Sequence, residues 1–523
     1  MRITNGMITN NTLSHINLNK LNVDKYSTQE STGKKIQRPS DDPIIAIRAL
    51  RFRSQLTEIS HYLDKNVKDA ESWLSLTEEV LSGVSDTLSS MQKYLDQGAN
   101  DPLDTQDRGA VIKTLKGYRD QIYQDANYDF AGRRIFSGYK TDTDMIFATN
   151  ENVKYQITEQ LNYNDFDTIS KVFNKVDISN GPEYIDSSTN DTDAAANNGK
   201  PSPDDKTDIH RLRLAYEGLI TDKNGVVSPA DFTLSPQGIL TENGDACTMT
   251  VVAPAADGKY YVDGDPTKAE VDPYRPGDNE IYVLSDTGEV IFGVDAYKAY
   301  RNEPITVTYT KTGFDKGDLR PEHFFDCTRY KEDGTTEDVK FDSHQQDINY
   351  TVNFNQKLKV NSEGKNFFSH DVIRDLDDLI DGLNELELIE DKIKNIDKMI
   401  ADPGYAGEED QKKLKSMKEA AEKERALQGD IVQKGYEKSI SLYSKHQATV
   451  DAEIADIGSR DSRLQLNKTR LTNQKTTLED LKSSNEDINL PETIIQLSAA
   501  SMVYDASLSA ASKVITKSLL DYL

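Results

Sequence analysis

Between Ala49 and Leu95 apolar residues recur at alternating steps of three and four. One row reads Val67, Leu74, Leu81, Leu88 and Leu95; the other reads Ala49, Leu56, Leu63, Ala70, Thr77, Val84 and Met91. A helix turns once in 3.6 residues, so this alternation keeps both rows on one side of a helix, as a coiled-coil seam requires. A strand changes sides at every residue and cannot use it. The seam needs a partner, and a second row spaced by sevens comes late in the chain: Tyr443, Val450, Ile457, Leu464, Leu471 and Leu478, within a predicted helix of about 433–484. Its companion row is patchier (Gln447, Ile454, Asp461, Lys468), which predicts a seam that is three-sided or partly exposed.

The start of the first long helix is written in Ser40-Asp41-Asp42-Pro43. These residues supply capping side chains, acids near the positive end of the helix dipole, and proline at the first helical position. Gly98 is expected to stop the helix and Asp101-Pro102 to turn the chain. A second helix is predicted from about Asp104 to Phe130, with Val111, Leu115, Tyr118 and Ile122 as its stripe, antiparallel to the first. Trp73 reads as core at the seam edge.

Both ends of the chain carry helical apolar patterns. Residues 1–32 place Ile3, Met7, Leu13, Ile16, Lys20 and Val23 on one stripe and Ile8, Leu18 and Leu21 on a neighbouring face. Six asparagines make this helix poor in isolation, so packing must order it. Pro491 starts a terminal helix with one stripe of Leu497, Tyr504, Leu508, Ala511, Ile515, Leu519 and Tyr522. A second stripe holds Ile495, Ala499, Met502, Ala506, Ala510 and Val514. Apolar residues on two faces predict burial on two sides.

Residues 141–370 lose the heptads. Short alternating runs at 155–158, 248–252, 259–262, 280–284, 289–292, 305–310 and 350–354, separated by turns such as Asp257-Gly258 and Asp263-Gly264, predict a β-rich insert. Residues 187–207 read as a flexible surface loop. Helix returns at Asp371 with a stripe from Ile373 to Ile400, closed by Asp402-Pro403-Gly404. The charged stretch 408–430 is expected to be a solvated helix.

Of the 523 residues 36% are hydrophobic, and the net charge is −27. That suits helices burying narrow stripes and argues against a nucleic-acid binder, which needs a basic face. The first 60 residues run against the trend at +4. No 18-residue apolar run suggests a membrane span, and the N-terminus lacks the apolar core of a cleaved signal peptide. Cys247 and Cys327 lack metal-site spacing, and a single bridge between them stays open. No phosphate loop, HxxxH or GxSxG is present. His323 and Cys327 lack a second ligand pair. The acids Asp371, Asp375, Asp377, Asp378 and Asp381 lack calcium-loop spacing and read as a solvated helix face. No catalytic, cofactor or metal residues are assigned, and an enzyme is not expected.

The segment STGKKIQRPSDDPIIAIRALRFRSQL (Ser31–Leu56) resembles the flagellin family. The MRIT start, the NYDFAGRRIFSGYKT run (Asn127–Thr141) and the ending SLSAASKVITKSLLDYL (Ser507–Leu523) lean toward the family's hook–filament junction members rather than its filament subunits. The resemblance covers about 1–145 and 435–523 and is silent on the insert. It implies a mainly α fold with a β-rich insert: an elongated antiparallel helical, coiled-coil rod formed by the N- and C-terminal segments, with a central β domain. The expected segments are 1–40 (inner assembly helix and connector), 41–140 (first half of the rod), 141–370 (variable insert), 371–486 (second half of the rod) and 487–523 (C-terminal inner assembly helix).

The implied role is an extracellular structural subunit of the bacterial flagellum, exported through its type III apparatus. The implied partners are other copies of itself, hook-associated protein 1 on the hook side, flagellin on the filament side, the export apparatus and an export chaperone. No nucleic acid, cofactor or membrane insertion is expected. Ile16, Leu21, Tyr504, Leu508, Ile515 and Leu519 are expected at the assembly interface, and Arg38, Asp41 and Asp42 in the connector. Two other readings compete: a filament flagellin, and a secreted helical toxin or adhesin with a β receptor-binding domain.

Overall fold

A computed structural model of the chain describes residues 5–100, 105–183, 185–186, 200–201, 203, 206–219, 232–255, 257–331, 335–341 and 346–514. The fold is mainly α, with long helices toward both ends and a central β region. Its helices are α1 (Asn5–Thr32), α2 (Pro43–His61), α3 (Lys68–Asn100), α4 (Thr105–Asp125), α5 (Val294–Tyr300), α6 (Asp371–Ala401), α7 (Glu408–Glu486) and α8 (Leu490–Val514). The chain divides into two compact units. One gathers residues 1–72, 349–359 and 460–523; the other gathers 73–348 and 360–459.

In the first unit, α1 packs against α8. The α2 start is as its sequence dictates: Asp42 caps the helix, accepting from the backbone N–H of Ile44 (2.9 Å) and Ile45 (3.1 Å), with Pro43 in the first turn. Between α2 and α3 lies one turn of π-helix, Tyr62–Val67. Asn66 in this turn donates to the Thr351 carbonyl (2.8 Å) of a hairpin whose strands run Asn349–Asn353 and Gln356–Lys359. That hairpin lies within the predicted insert by sequence, yet it belongs to the same unit as the chain ends. Lys468 and Gln465 of α7 both bond Glu71 of α3, at 2.8 and 2.9 Å.

In the second unit, Leu74, Leu81, Leu88 and Leu95 are fully buried, as are Val84, Met91 and, on α7, Tyr443, Val450 and Ile457. Thr77 fits this seam because its hydroxyl donates to the Trp73 carbonyl at 2.7 Å. The polar second-row residue Gln447 is not left to solvent. Gln92 donates to its side chain at 3.0 Å, and it donates in turn to Ser85 at 3.3 Å. Trp73 is buried edge-on to Phe130. Phe130 stands in a short strand pair after α4, which ends at Asp125 rather than near 130.

Two expectations for these helices fail. Gly98 does not stop α3, which continues to Asn100. It lies under the Tyr436 ring, where a Cβ would sit 2.5 Å from Cε1. Residues 408–430 are not a solvated helix. They begin the 79-residue α7, and Leu414, Met417, Ala420 and Ala421 form a core with Ile389, Ile393 and Ile396 of α6 and with Val176 and Ile185. Buried Glu424 is held there by Lys392 (3.0 Å) and the Val176 N–H (3.0 Å). Small and charged residues hide an apolar stripe that lies only on the side facing α6.

Every predicted strand run forms a strand. A six-stranded sheet carries, in order, Tyr260–Val262, Thr248–Pro254, Glu280–Leu284, Glu289–Phe292, Thr207–Arg213 and Phe166–Lys171. A five-stranded sheet carries Thr336–Val339, Asp326–Tyr330, Glu151–Leu161, Ile305–Phe314 and Phe232–Ser235. All pairings are antiparallel except that of Thr248–Pro254 with Glu280–Leu284. Tyr155, Ile157, Val307 and Tyr309 of the second sheet share one core with Leu212, Val283 and Val290 of the first. Cys247 and Cys327 are both free and buried, so the open question of a bridge is answered in the negative.

A candidate assembly interface at the chain ends

The α1–α8 pair has a seam of mixed polar and apolar residues. The half-buried residues of α1 include Thr9, Thr12, Ile16, Asn19, Val23 and Tyr26; those of α8 that are buried or half-buried include Thr493, Leu497, Ala500, Tyr504, Ser507 and Ala511. Both series step by three and four, so the pair follows coiled-coil spacing. Asn19 donates to the Ser507 hydroxyl at 2.9 Å. Other large apolar residues lie outside it. Met7, Ile8, Leu13, Leu18 and Leu21 are exposed on α1, and Ile494, Ile495, Met502, Val503 and Leu508 on α8, with Ile495 69% and Met502 67% exposed.

The apolar patterns thus mark two kinds of surface. Of the first predicted α1 stripe, Ile16 and Val23 join the seam, while Met7 and Leu13 face out. On α8, Leu497, Tyr504 and Ala511 face α1, whereas Ile495 and Met502 of the second stripe are exposed. Among the expected interface residues, Ile16 and Tyr504 are half-buried in the seam. Leu21 (63% exposed) and Leu508 (43%) are open. Ile515 and Leu519 lie outside the described residues. Exposed apolar rows of this extent on a helix pair mark an interaction surface.

The connector is tied down where the chain leaves α1 and where it enters α8. Residues 33–35 pair with 486–488: Lys35 N–H donates to the Glu486 carbonyl (2.7 Å) and Ile488 N–H to that of Gly33 (3.0 Å). Gly33 adopts a φ of 69°, the left-handed conformation that ends α1. Lys34 bonds Asp487 and lies 3.5 Å from Glu486. Arg53 of α2 grips the Glu486 carboxylate with two hydrogen bonds, at 3.1 and 2.8 Å. Burial works to raise the Glu486 pKa, but Arg53 and Lys34 outweigh it and hold the carboxyl below its usual range.

Asp41 accepts from the N–H groups of Arg38 (2.8 Å) and Gln37 (3.0 Å), which lower its pKa. Arg38 itself is exposed and enters through its backbone. Lys34, Arg53, Glu486 and Asp487 were not singled out from the sequence. The signal that could have found them is the complementarity of Lys34-Lys35 and Glu486-Asp487, one dipeptide just past each helix end.

The sites of possible chemistry resolve into structure. His323 Nε2 is 2.9 Å from the Asp144 carbonyl, to which it donates, and burial pushes the Cys327 thiol up to about 12, far from a reactive thiolate. The acids of α6 are not simply a solvated face. Asp375 is buried and bonds Arg213, and Asp378 binds both Arg211 and Arg213 of the Thr207–Arg213 strand. Among the described residues no group of three His, Cys, Asp or Glu is placed to hold a metal, and no helix is long and apolar enough to cross a membrane.

Residues 3–141 match the family described as the bacterial flagellin N-terminal helical region. Flagellar hook-associated protein 3 of Escherichia coli K12 is 38% identical over 120 residues, covering 23% of this chain and 38% of that protein. Flagellar hook-associated protein 3 of Salmonella typhimurium is 35% identical over 143 residues, covering 27% and 45%. The chain thus spans less than half the length of these curated relatives. The crystal structure of the flagellar junction protein FlgL from Legionella pneumophila superposes at 11% identity and a TM-score of 0.28, covering 85% of this chain and all of that one. Over residues 3–141 the chain is thus similar to the bacterial flagellin N-terminal helical region, and among the curated relatives it resembles flagellar hook-associated protein 3.

Proposed function

We propose that the chain is a structural subunit of the bacterial flagellum that forms the junction between hook and filament and assembles through its terminal helices. The observation that carries this reading is the outward apolar face of the α1–α8 pair, on which Leu21, Ile495, Met502 and Leu508 are exposed. Burial of such faces by neighbouring copies is worth about 25 cal/mol per Å². The resemblance to hook-associated protein 3 supplies the place: hook-associated protein 1 on one side, flagellin on the other. Delivery is by the flagellar export apparatus, with a chaperone covering the apolar ends beforehand. The role is structural and involves no enzymatic step.

Deleting Ser507–Leu523 tests the assembly role. Truncated protein should remain folded and fail to support filaments on existing hooks; filaments of normal number would refute it. Immunolabelling of purified hook–filament preparations tests the location, and a label along the whole filament would instead identify a filament flagellin. Motility with an intact filament after gene deletion would favour the secreted toxin or adhesin.

A further inference from the structure

A cleft of about 580 Å³ opens in the second unit among α4, the start of α6 and the loops at 215–217 and 315–319. Five basic side chains line it, Arg119 and Lys316 among them, and three converge from different parts of the fold: Lys311 of the Ile305–Phe314 strand, His370 immediately before α6, and Arg374 of its first turns. All three are at least nine-tenths buried. Lys311 Nζ donates to the Glu217 carbonyl at 2.7 Å and, among the described residues, makes no ion pair, so it retains N–H capacity. Arg374 uses both terminal nitrogens, on Glu217 and on the Thr287 carbonyl (2.5 Å), and its Nε has no partner. His370 Nε2 also has none; its ring is boxed by Tyr216, Phe324 and Phe325, with centroids 4.7, 4.9 and 5.3 Å away.

The acids around the cleft are already engaged. Asp377 and Asp120 bind Arg119, Glu217 binds Arg374, Asp315 accepts from Asn150, and Asp318 accepts from the Asp315 N–H; Asp318, Asp315 and Glu217 also act on Lys311 through space, without a direct bond from these carboxylates to its Nζ among the described residues. Spare donors without assigned acceptors are costly in a buried site unless something fills them. We propose that this cleft is a binding site for a small oxyanion, the carboxylate or phosphate group of a low-molecular-weight ligand, received by Lys311, Arg374 and His370. Such a group offers several oxygens to donors converging from separate elements: the Lys311 ammonium, the Arg374 Nε–H and, in its Nε2–H tautomer, the neutral His370 ring. Burial lowers the Lys311 pKa and pushes that of His370 to about 3, so a bound anion would offset an existing cost of desolvation. This site is independent of the assembly role of the chain ends.

The test is titration of the full chain with inorganic phosphate, and in parallel with acetate, at constant ionic strength in 150 mM chloride on the order of physiological salt. Binding is followed calorimetrically and through the His370 imidazole resonance, assigned with His370→Phe. The expected result is saturable binding that moves this resonance and weakens at least about tenfold in Lys311→Met, a loss of roughly 1.4 kcal/mol. The stronger of the two anions identifies the ligand group. No saturable binding by either anion, or binding that Lys311→Met leaves intact, overturns the proposal. Should Lys311→Met fail to fold, the wild-type resonance decides: a His370 signal unmoved at saturation overturns it.

Discussion

Removing Arg53 should loosen the connector by a predictable amount. Glu486 is only 3% exposed at its side chain and takes two hydrogen bonds from Arg53. Stripping a fully enclosed carboxylate of its cation costs roughly 3–5 kcal/mol. Arg53 is itself 56% exposed, so water screens the pair, and Lys34 remains at 3.5 Å. The expected loss for Arg53→Ala is therefore about 1–2 kcal/mol.

The loss should be local and readable at two amides, Lys35 and Ile488, which bridge the strands of the connector. Their hydrogen exchange should quicken by roughly 5–30-fold. Glu486→Gln should do the same, and the double variant should lose less than the two single losses added, because both remove one interaction. Acid should mimic the variants. A carboxyl whose folded pKa lies below its unfolded value of about 4.3 stabilises fully above that value and stops doing so as the pH falls through the lower one. Lys34, whose pKa is raised mainly by its bond to Asp487, acts oppositely. Its contribution is complete below about pH 10.4 and is lost as the pH rises through the folded value. Exchange within about twofold of wild type in Arg53→Ala, with Glu479→Ala as control, would refute the reasoning.

Asp42→Ala removes the cap of α2 and should cost about 1 kcal/mol, read as faster exchange at Ile44 and Ile45. Gly98→Ala drives a methyl into the Tyr436 ring and should lower the stability of the second unit by about 1–3 kcal/mol in urea unfolding, with Tyr436→Leu restoring part of it. Burial raises the Glu159 pKa to about 7, against bonds from Tyr309 and the Ala215 N–H. The folded state therefore holds this proton longer than the unfolded one. Stability of the second unit should fall as the pH rises from about 4.3 toward 7, and Glu159→Gln should flatten that slope.

The long seams were legible because Leu, Val and Met fill them at a period that only a helix uses. The alternating strands of the insert were legible for the same reason at a period of two. Thr207–Arg213 was not, because Arg211 and Arg213 read as solvent-facing charges. Their partners Asp375 and Asp378 stand more than 160 residues away and read as a solvated helix face. The buried face of α7 near Met417 was hidden by alanines that carry no hydrophobic signal of their own. At the chain ends the rule that apolar residues mark the intramolecular seam holds only in part, because Ile16, Val23, Leu497 and Tyr504 share that seam with Thr, Asn and Ser while other leucines and isoleucines remain exposed. The connector's ion pairs could not be read without knowing that its two halves meet.

The Asn19–Ser507 bond has a consequence for alignment. Coiled helices can slide past each other by a heptad at little loss when their seams are uniformly greasy. Here a slide of seven residues in one direction would set Asn19 against Ala500, which has no side-chain acceptor, and would strand an amide between two helices. The bond therefore favours the stagger in which Asn19 meets Ser507. Under the proposed assembly role, each copy would then present its outward leucines and isoleucines at the same heights, and neighbouring copies could meet them without sorting among misaligned subunits.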